Sequence, residues 1–579
     1  MCRVRLDPHS YADDEQPQTR AIDLALRADF QKRTLEGEIA LHFREAGAGI
    51  IDLDTRELRI DAVTALDGAP LAYELQAPDS ILGARLRVTL PAGARGLRIR
   101  YGTSPSASAL QWLEPSQTAG KEPFLFSQCQ PIHARSLAPL QDTPRIRITV
   151  GTARFKVPSR LRTLMAAAAN GREDGGGGEA VDVFEMPQPI PSYLLAFAVG
   201  DLERRELSHR TAVWAERPVV DAAAYEFAET EAMIRAAEAL FGPYEWDRYD
   251  VLVMPPSFPF GGMENPRLTF VTPSVLAGDR SLVSVIAHEA AHAWTGNLVT
   301  NANLNHFWLN EGFTVYAERR ILEALEGRDS AELHAASGRH DLAAALDRLA
   351  ARPKLTCLRT DLRGIDPDEA YSSVPYEKGY LLLRKLEETA GRPAWDAFMR
   401  SYLGRFRFQS ITTDRFLEFL EAQLPGVAAK AGTLAYIDGP GVPAGAPEPR
   451  STRLDQLRLG EVEPRNPTEL LVVLQSTPPD AEKLRALDAR WGLSQRRSLE
   501  LRHNFVLLQI RAGMPDAVDA ARRVLLETGR MRYLRPIYTA LARRDPAAAR
   551  RIYQEARAGY HNIARTVVEA VLKEQGAER

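Results

Sequence analysis

The sequence predicts a multidomain α+β protein, with a β domain first, a mixed α/β domain second and a helical domain last. Three observations carry this. Apolar and polar side chains alternate with period two as far as Asp201, the mark of half-buried strands. Beyond Asp201 the apolar spacing lengthens to that of helices. The Pro- and Gly-rich segment Ile437 to Thr452 then breaks both patterns, and short amphipathic helical runs follow it. A length of 579 residues, at roughly 150 residues per domain, admits about three to four domains. The expected boundaries are 1–201 for the β domain, 202–436 for the central domain, 437–452 for a linker and 453–579 for the helical domain.

In chain order, Ile22, Leu24, Leu26, Ala28 and Phe30 form the first alternating run. Leu35, Gly37, Ile39, Leu41 and Phe43 form the second. Leu86-Val88-Leu90, Leu97-Ile99-Tyr101 and Ile146-Ile148-Val150 repeat the pattern. All are expected to be antiparallel strands. Gly175 to Gly178 read as a turn between two strands; no Lys-Ser/Thr follows, so a phosphate loop is not indicated. Ala222 to Leu240, Val283 to Val299 and Asn310 to Glu326 are expected helices. In the last domain Pro515 can start a helix, and Asp545-Pro546 has the N-cap-then-Pro order of another. Stacked helix pairs fit this spacing.

Composition narrows the function. Hydrophobic residues are 45% and charged residues 26%, which is ordinary globular usage. Lys plus Arg number 73 and Asp plus Glu 76, a net charge of −3, so no basic field exists to hold nucleic acid. The apolar stretch Tyr193 to Gly200 is far below the roughly 20 residues of a membrane span. Cys2, Cys129 and Cys357 are too few for a disulfide framework or a cysteine zinc finger. They fit a reducing compartment, though a cysteine-poor secreted protein would look the same. The N-terminus has no signal-peptide apolar core, and the expected location is the cytoplasm.

The strongest chemical signal is His288-Glu289-Ala290-Ala291-His292. On a helix, residues four apart share a face, so both imidazoles can reach one ion. Glu289 lies about 100° round the helix, badly placed to bind the ion beside both histidines but well placed as a base. Eighteen residues after His292 comes Asn310-Glu311-Gly312, at the start of the next helical run. A helix–loop–helix of that length can bring Glu311 to the same ion. Two His and one Glu leave a position for water, the arrangement of a catalytic zinc site. Read alone, the histidine motif can arise by chance and Glu311 can be a solvated helix-start carboxylate. Together they point to hydrolysis of a polarised carbonyl by activated water.

Beside this motif stands Phe260-Gly261-Gly262-Met263-Glu264-Asn265. With it the chain resembles the M1 (gluzincin) aminopeptidase family. The resemblance is closest to the leukotriene A4 hydrolase branch. Phe126-Ser127-Gln128-Cys129-Gln130-Pro131-Ile132-His133, Trp294 to Thr300, Asp366 to Gly379 and Gly529-Arg530-Met531-Arg532-Tyr533 carry it. These segments fall in all three domains, so it spans nearly the whole chain. It implies a twisted β-sheet domain at the N-terminus, a thermolysin-like zinc catalytic domain in the centre and a superhelical α domain at the end. It also implies an aminopeptidase with one Zn2+ per chain, held by His288, His292 and Glu311, and with Glu289 as general base.

Further roles carry over residue by residue. Glu264 would bind the free α-amine of the substrate, helped by Gln130, beside Gln128, Gly261, Gly262 and Met263. A carboxylate at a closed cleft end pairs with an ammonium and forbids chain extension. Gly261 and Gly262 let backbone approach closely, as a strand edge holding a peptide requires. Tyr376 would donate to the oxyanion. Arg530, with Arg532 near it, would receive the C-terminal carboxylate, which makes short peptides the partners. Asp368 and Tyr371 match residues tied to epoxide hydrolysis in this branch; Asp368 could equally receive a basic first side chain. Leu304 and Arg532 depart from the mammalian members, which have Trp and Lys there. Glu318 and Asn297 are candidates for supporting the metal ligands. Without the resemblance, Glu264 reads as a turn residue, Tyr376 as a packed aromatic, and Arg530 and Arg532 as surface residues. The alternatives are a bifunctional epoxide hydrolase using the same site and an inactive peptide-binding scaffold.

Overall fold

A computed structural model describes residues 6–577; Cys2 lies outside them. The N-terminal domain is built on an eight-stranded sheet. Its strands run, edge to edge, Ala168–Gly176, Glu179–Pro191, Arg147–Pro158, Thr19–Asp29, Thr34–Thr55, Ala84–Gly102 and Arg59–Ala65, with Tyr73–Leu75 beside Ala84–Gly102. The alternation has the predicted effect: Ile22, Leu24, Leu26, Ile39 and Leu41 are buried. The expectation of antiparallel pairing throughout is corrected in one place. Thr19–Asp29 and Arg147–Pro158 pair in parallel. Only strands close in sequence are confined to antiparallel hairpins, and these two are separated by most of the domain. The two runs expected at Leu86 to Leu90 and Leu97 to Tyr101 form one long strand, bulged where Gly47 and Gly49 shift its partner's register. Gly176, Gly177 and Gly178 turn the outer hairpin with φ of 70°, 62° and 81°, a region glycine enters freely.

The central domain begins with a five-stranded sheet, ordered Leu202–Glu206, Thr211–Glu216, Tyr249–Val253, Leu268–Val271 and Gly262–Met263. The short strand Gly262–Met263 is therefore an edge, antiparallel to Leu268–Val271. The helix Ser284–Ala291 packs on the edge strand Gly262–Met263, Trp308–Glu326 packs on that helix, and Arg328–Arg348 packs on Trp308–Glu326. Two expected helices are revised. Ala222 to Leu240 divides into Val220–Glu226 and Thr230–Phe241, because the Thr230 hydroxyl takes the Phe227 carbonyl that would have continued the first. Val283 to Val299 is helical only over Ser284–Ala291, with His292 as its C-cap. The chain then turns at Gly296 (φ 121°), and Val299–Asn301 joins Gln409–Ile411 as a two-stranded sheet.

Residues 438–451 carry neither helix nor strand. The helical domain follows, from Thr452–Leu459 to Asn562–Ala577, with its own apolar core. Asp545 caps Pro546–Ala556 by accepting from the Ala548 amide, as Asp-Pro predicts. The helix expected to start at Pro515 begins at Ala517. Leu454, Leu457 and Val472 pack on Leu333 and Ala336 of Arg328–Arg348, which joins this domain to the central one. Among the described residues no helix is long and apolar enough to cross a membrane.

Candidate active site

The helix Ser284–Ala291 buries Ile286, Ala287, Ala290 and Ala291, which turns His288 and His292 toward the next helix. Glu311 stands in the first turn of Trp308–Glu326. Its Oε2 lies 3.5 Å from His288 Nε2 and 3.5 Å from His292 Nε2. Charge-assisted hydrogen bonds would be near 2.8 Å. A tetrahedral ion with ligands at about 2.0–2.1 Å would hold them about 3.4 Å apart. Glu311 Oε2 is also buried without a hydrogen-bond partner. Spacing and orphaned oxygen both fit zinc.

The outer nitrogens are fixed by other groups. His288 Nδ1 is 3.0 Å from Glu318 Oε2, and His292 Nδ1 is 2.9 Å from the Thr295 carbonyl. An Nδ1–H donated there leaves each Nε2 lone pair facing the ion. Gly296 is required at its place: a Cβ there would sit 2.6 Å from His292 Nδ1. Burial raises the Glu311 carboxyl, but the two imidazoles prevail and hold it at about 2. Glu289, without comparable hydrogen bonds, is pushed by burial up to about 7, against the pull of the same imidazoles. That suits a general base at neutral pH.

Gly261 and Gly262 make room for two functional groups. A Cβ on Gly262 would lie 2.2 Å from Glu289 Oε1, and one on Gly261 would lie 2.5 Å from Arg530 Nη2. Arg530 arrives from the helical domain because Gly529 N–H donates to Pro256 O at 2.7 Å and Met531 N–H to Pro259 O at 2.8 Å. It is 8% exposed. Its Nη1 donates to Tyr533 OH at 2.9 Å, and its Nε is buried without a partner. Glu264 is buried, its Oε1 accepting from Gln130 Nε2 at 3.1 Å and its main-chain carbonyl from Asn297 Nδ2 at 2.7 Å. Gln128 Nε2 donates to Met263 Sδ at 3.2 Å.

Tyr376 sits on the π-turn Val374–Lys378, stacked on the His288 ring at 6.1 Å, with its hydroxyl 2.5 Å from that of Tyr371. Burial raises the Tyr376 phenol well above its ordinary range, so it stays a neutral donor. The turn is pressed on the Glu311 helix: a Cβ on Gly312 would lie 2.7 Å from Gly379 Cα. Two expected site residues have partners elsewhere. Asp368 Oδ2 is 3.0 Å from His133 Nε2. Arg532 bridges Glu500 at 3.0 Å and Asp341 at 2.8 Å, tying the helical domain to Arg328–Arg348.

Three family descriptions match this chain: the Peptidase M1 N-terminal domain over residues 8–194, the Peptidase family M1 domain over 225–432, and the Leukotriene A4 hydrolase C-terminal domain over 466–572. The chain belongs to the M1 peptidase family. As an M1 member it is a metallopeptidase-type hydrolase, and the family implies zinc. It is 39% identical to leukotriene A-4 hydrolase of Xenopus laevis, covering 92% of this chain and 93% of that protein. It is 34% identical to leucine aminopeptidase 2 of Pyricularia oryzae, covering 97% of each. The solved structure of yeast LTA4 hydrolase in complex with bestatin superposes with a TM-score of 0.90 at 30% identity, covering 99% of this chain and 98% of that one.

In this M1 peptidase some residues around the site, Phe307 and Thr314 among them, carry no signal in the sequence. Phe260 and Phe307 wall the site around Tyr371, at 5.9 Å and 6.4 Å between rings. Thr295, within the segment Trp294 to Thr300, and Thr314, which lies in no motif, flank His292 Nδ1. Glu318 does carry a signal: seven residues beyond Glu311, it lies on the same helix face.

Proposed function

We propose that this M1 member is an aminopeptidase that removes the first residue of short peptides. The observation that carries the reading is Glu264. It is 4% exposed, and its carboxylate lies within 4.8 Å of Glu289 and His292 donor atoms. An ammonium held there lies one residue from a bond within reach of Glu289. His288, His292 and Glu311 would hold one zinc per chain. When bound, the ion supplies Lewis acidity, polarising the scissile carbonyl and a water.

The chain's own residues do the rest. Glu264 accepts the α-ammonium and Gln130 steadies its carboxylate. Glu289 takes a proton from the attacking water and passes it to the leaving amine. Tyr376 donates its phenol proton in a hydrogen bond to the carbonyl oxygen as charge develops. Arg530, with a free buried Nε, takes the C-terminal carboxylate and so favours short peptides. Arg532 supports it from its bridge between Glu500 and Asp341. The complete set, Glu289 and Tyr376 included, argues against an inactive scaffold. A second activity on a fatty-acid epoxide is supported by the Tyr371 phenol at the site wall. A cytoplasmic location belongs to the same reading, supported by the free thiols of Cys129 and Cys357.

The test is a panel of free and N-acetylated aminoacyl anilides and tripeptides, with and without chelator. Glu264→Ala should lose the preference for free N-termini. An unchanged preference would refute the amine assignment.

A further inference from the structure

The turn after His292 has an anchor outside its own domain. Arg147 opens the strand Arg147–Pro158 of the N-terminal sheet and is 4% exposed. Its Nη1 donates to Thr300 Oγ1 at 2.7 Å, and its Nη2 to Asn297 O at 2.6 Å and Pro189 O at 2.7 Å. Its Nε donates to Pro189 O at 3.0 Å. Phe408 lies beneath the guanidinium, 5.8 Å from its carbon. Among the described residues no carboxylate is hydrogen-bonded to it. Burial brings its pKa down to about 10, which leaves it charged at neutral pH.

A buried cation held only by carbonyls, a hydroxyl and a ring is a costly choice. A methionine would fill similar volume without that cost. What the position gains from arginine is therefore the rigid fork of donors, which grips two residues of one turn. That turn serves the site twice. Thr295 O fixes His292 Nδ1 at 2.9 Å, and Asn297 Nδ2 holds the main-chain carbonyl of Glu264 at 2.7 Å. The turn is closed on itself by Gly296 N–H to Val299 O at 2.8 Å and Thr300 Oγ1 to Gly296 O at 2.5 Å. Arg147 donates to the turn at two further points, Asn297 O and Thr300 Oγ1.

We propose that Arg147 is a positioning residue for amine recognition. Acting through Asn297, it sets the main chain of Glu264 and makes the N-terminal β domain a working part of the amine site. The inference rests on the reading of Glu264 as the ammonium acceptor.

The experiment uses the full-length, zinc-loaded protein. For wild type, Arg147→Met, Arg147→Lys, Asn297→Ala and the Arg147→Met/Asn297→Ala double variant, one measures kcat and KM on an alanyl anilide. Inhibition by free alanine and by propionate, zinc content and unfolding temperature are measured alongside. Arg147→Met should raise KM and the alanine inhibition constant about tenfold, the scale of one hydrogen bond in a buried site. Propionate, which has no amine, should show no such change, and kcat and zinc content should stay near wild type. Arg147→Lys, which keeps the charge but not the fork, should show most of the same loss. Asn297→Ala should show the same loss, and the double variant should add little to it, since both act through one contact.

Arg147→Met with a lowered unfolding temperature but wild-type KM and alanine inhibition would make Arg147 a strut between domains and overturn the proposal. If Arg147→Met does not fold, Asn297→Ala with wild-type amine selectivity overturns it. The parent reading fails separately: Glu264→Ala with unchanged selectivity removes it, whatever Arg147 variants do.

Discussion

Gly262→Ala is expected to misplace the general base while leaving the metal site whole. The added Cβ would stand 2.2 Å from Glu289 Oε1, 2.4 Å from its Cδ and 2.5 Å from its Cγ, where ordinary contact begins at 3.4 Å. The Glu289 side chain must therefore retreat by about 1 Å, because the Gly262 backbone is pinned by its pairing with Val271. A displacement of that size at a reacting group costs on the order of a hundredfold in rate. The three atoms nearest that Cβ all belong to Glu289, so zinc content should be unchanged. Overpacking should cost about 1–3 kcal/mol of stability, leaving a folded enzyme. The assay is kcat and KM on an aminoacyl anilide, with zinc content and thermal unfolding as controls. Gly261→Ala is the comparison. Its Cβ meets Arg530 Nη2 at 2.5 Å, so it should raise KM for tripeptides and spare the anilide, which has no carboxylate. If Gly262→Ala keeps kcat within threefold of wild type at full zinc, the close approach does not position Glu289 and the reasoning fails.

Glu289→Gln should bind zinc normally and lose about a thousandfold or more in kcat; a zinc-loaded variant with substantial turnover would remove Glu289 from the proton path. Tyr376→Phe should lower kcat about a hundredfold or more with little change in KM, and a pure KM effect in steady-state kinetics would make it a packing residue. Three buried histidines should each lower stability on acidification. Burial depresses His306 and His503 to about 4 and His561 to about 3. Each therefore takes up its proton near pH 6.5 only when unfolded, so stability present above pH 6.5 is lost as pH falls toward 4. The loss is about 1.4 kcal/mol per pH unit for each histidine. Urea midpoints from pH 7 to pH 5 should fall less steeply in His503→Gln than in wild type, because Glu289 and Asp54, raised by burial to about 7 and about 6, shift both proteins alike; equal slopes contradict it.

The sequence made some of this plain, because alternation and i,i+4 spacing are local properties. Strand positions from Ile22 to Phe43 and the reach of two histidines to one ion follow from such spacing. The revised parts are not local. The parallel pairing of Thr19–Asp29 with Arg147–Pro158 depends on where a distant strand inserts. The stop at Ala291 depends on Gly296 and on the Thr295 carbonyl being taken by a histidine ring. In the site, the residues proposed to hold the metal were legible from the chain, whereas Glu264, Tyr376 and Arg530 became legible only through the family resemblance. Each is an ordinary residue type made special by what folds against it. Arg147 had no signal of either kind, since its partners are a threonine hydroxyl and backbone carbonyls that any sequence would supply.

The joint at Gly529 to Met531 has a consequence for how the protein comes into being. Arg530 reaches Gly261 only because its backbone is hydrogen-bonded to the loop at Pro256 and Pro259, and the helix behind it packs in the core of the last domain. A growing chain on the ribosome completes the histidine and glutamate helices more than two hundred residues before that core can close. For that interval the proposed hydrolytic centre would stand without its wall at the far end. Full peptide recognition is thus deferred to the end of synthesis, and a protein truncated before Arg530 should carry a metal site without the means to measure the peptides it cuts.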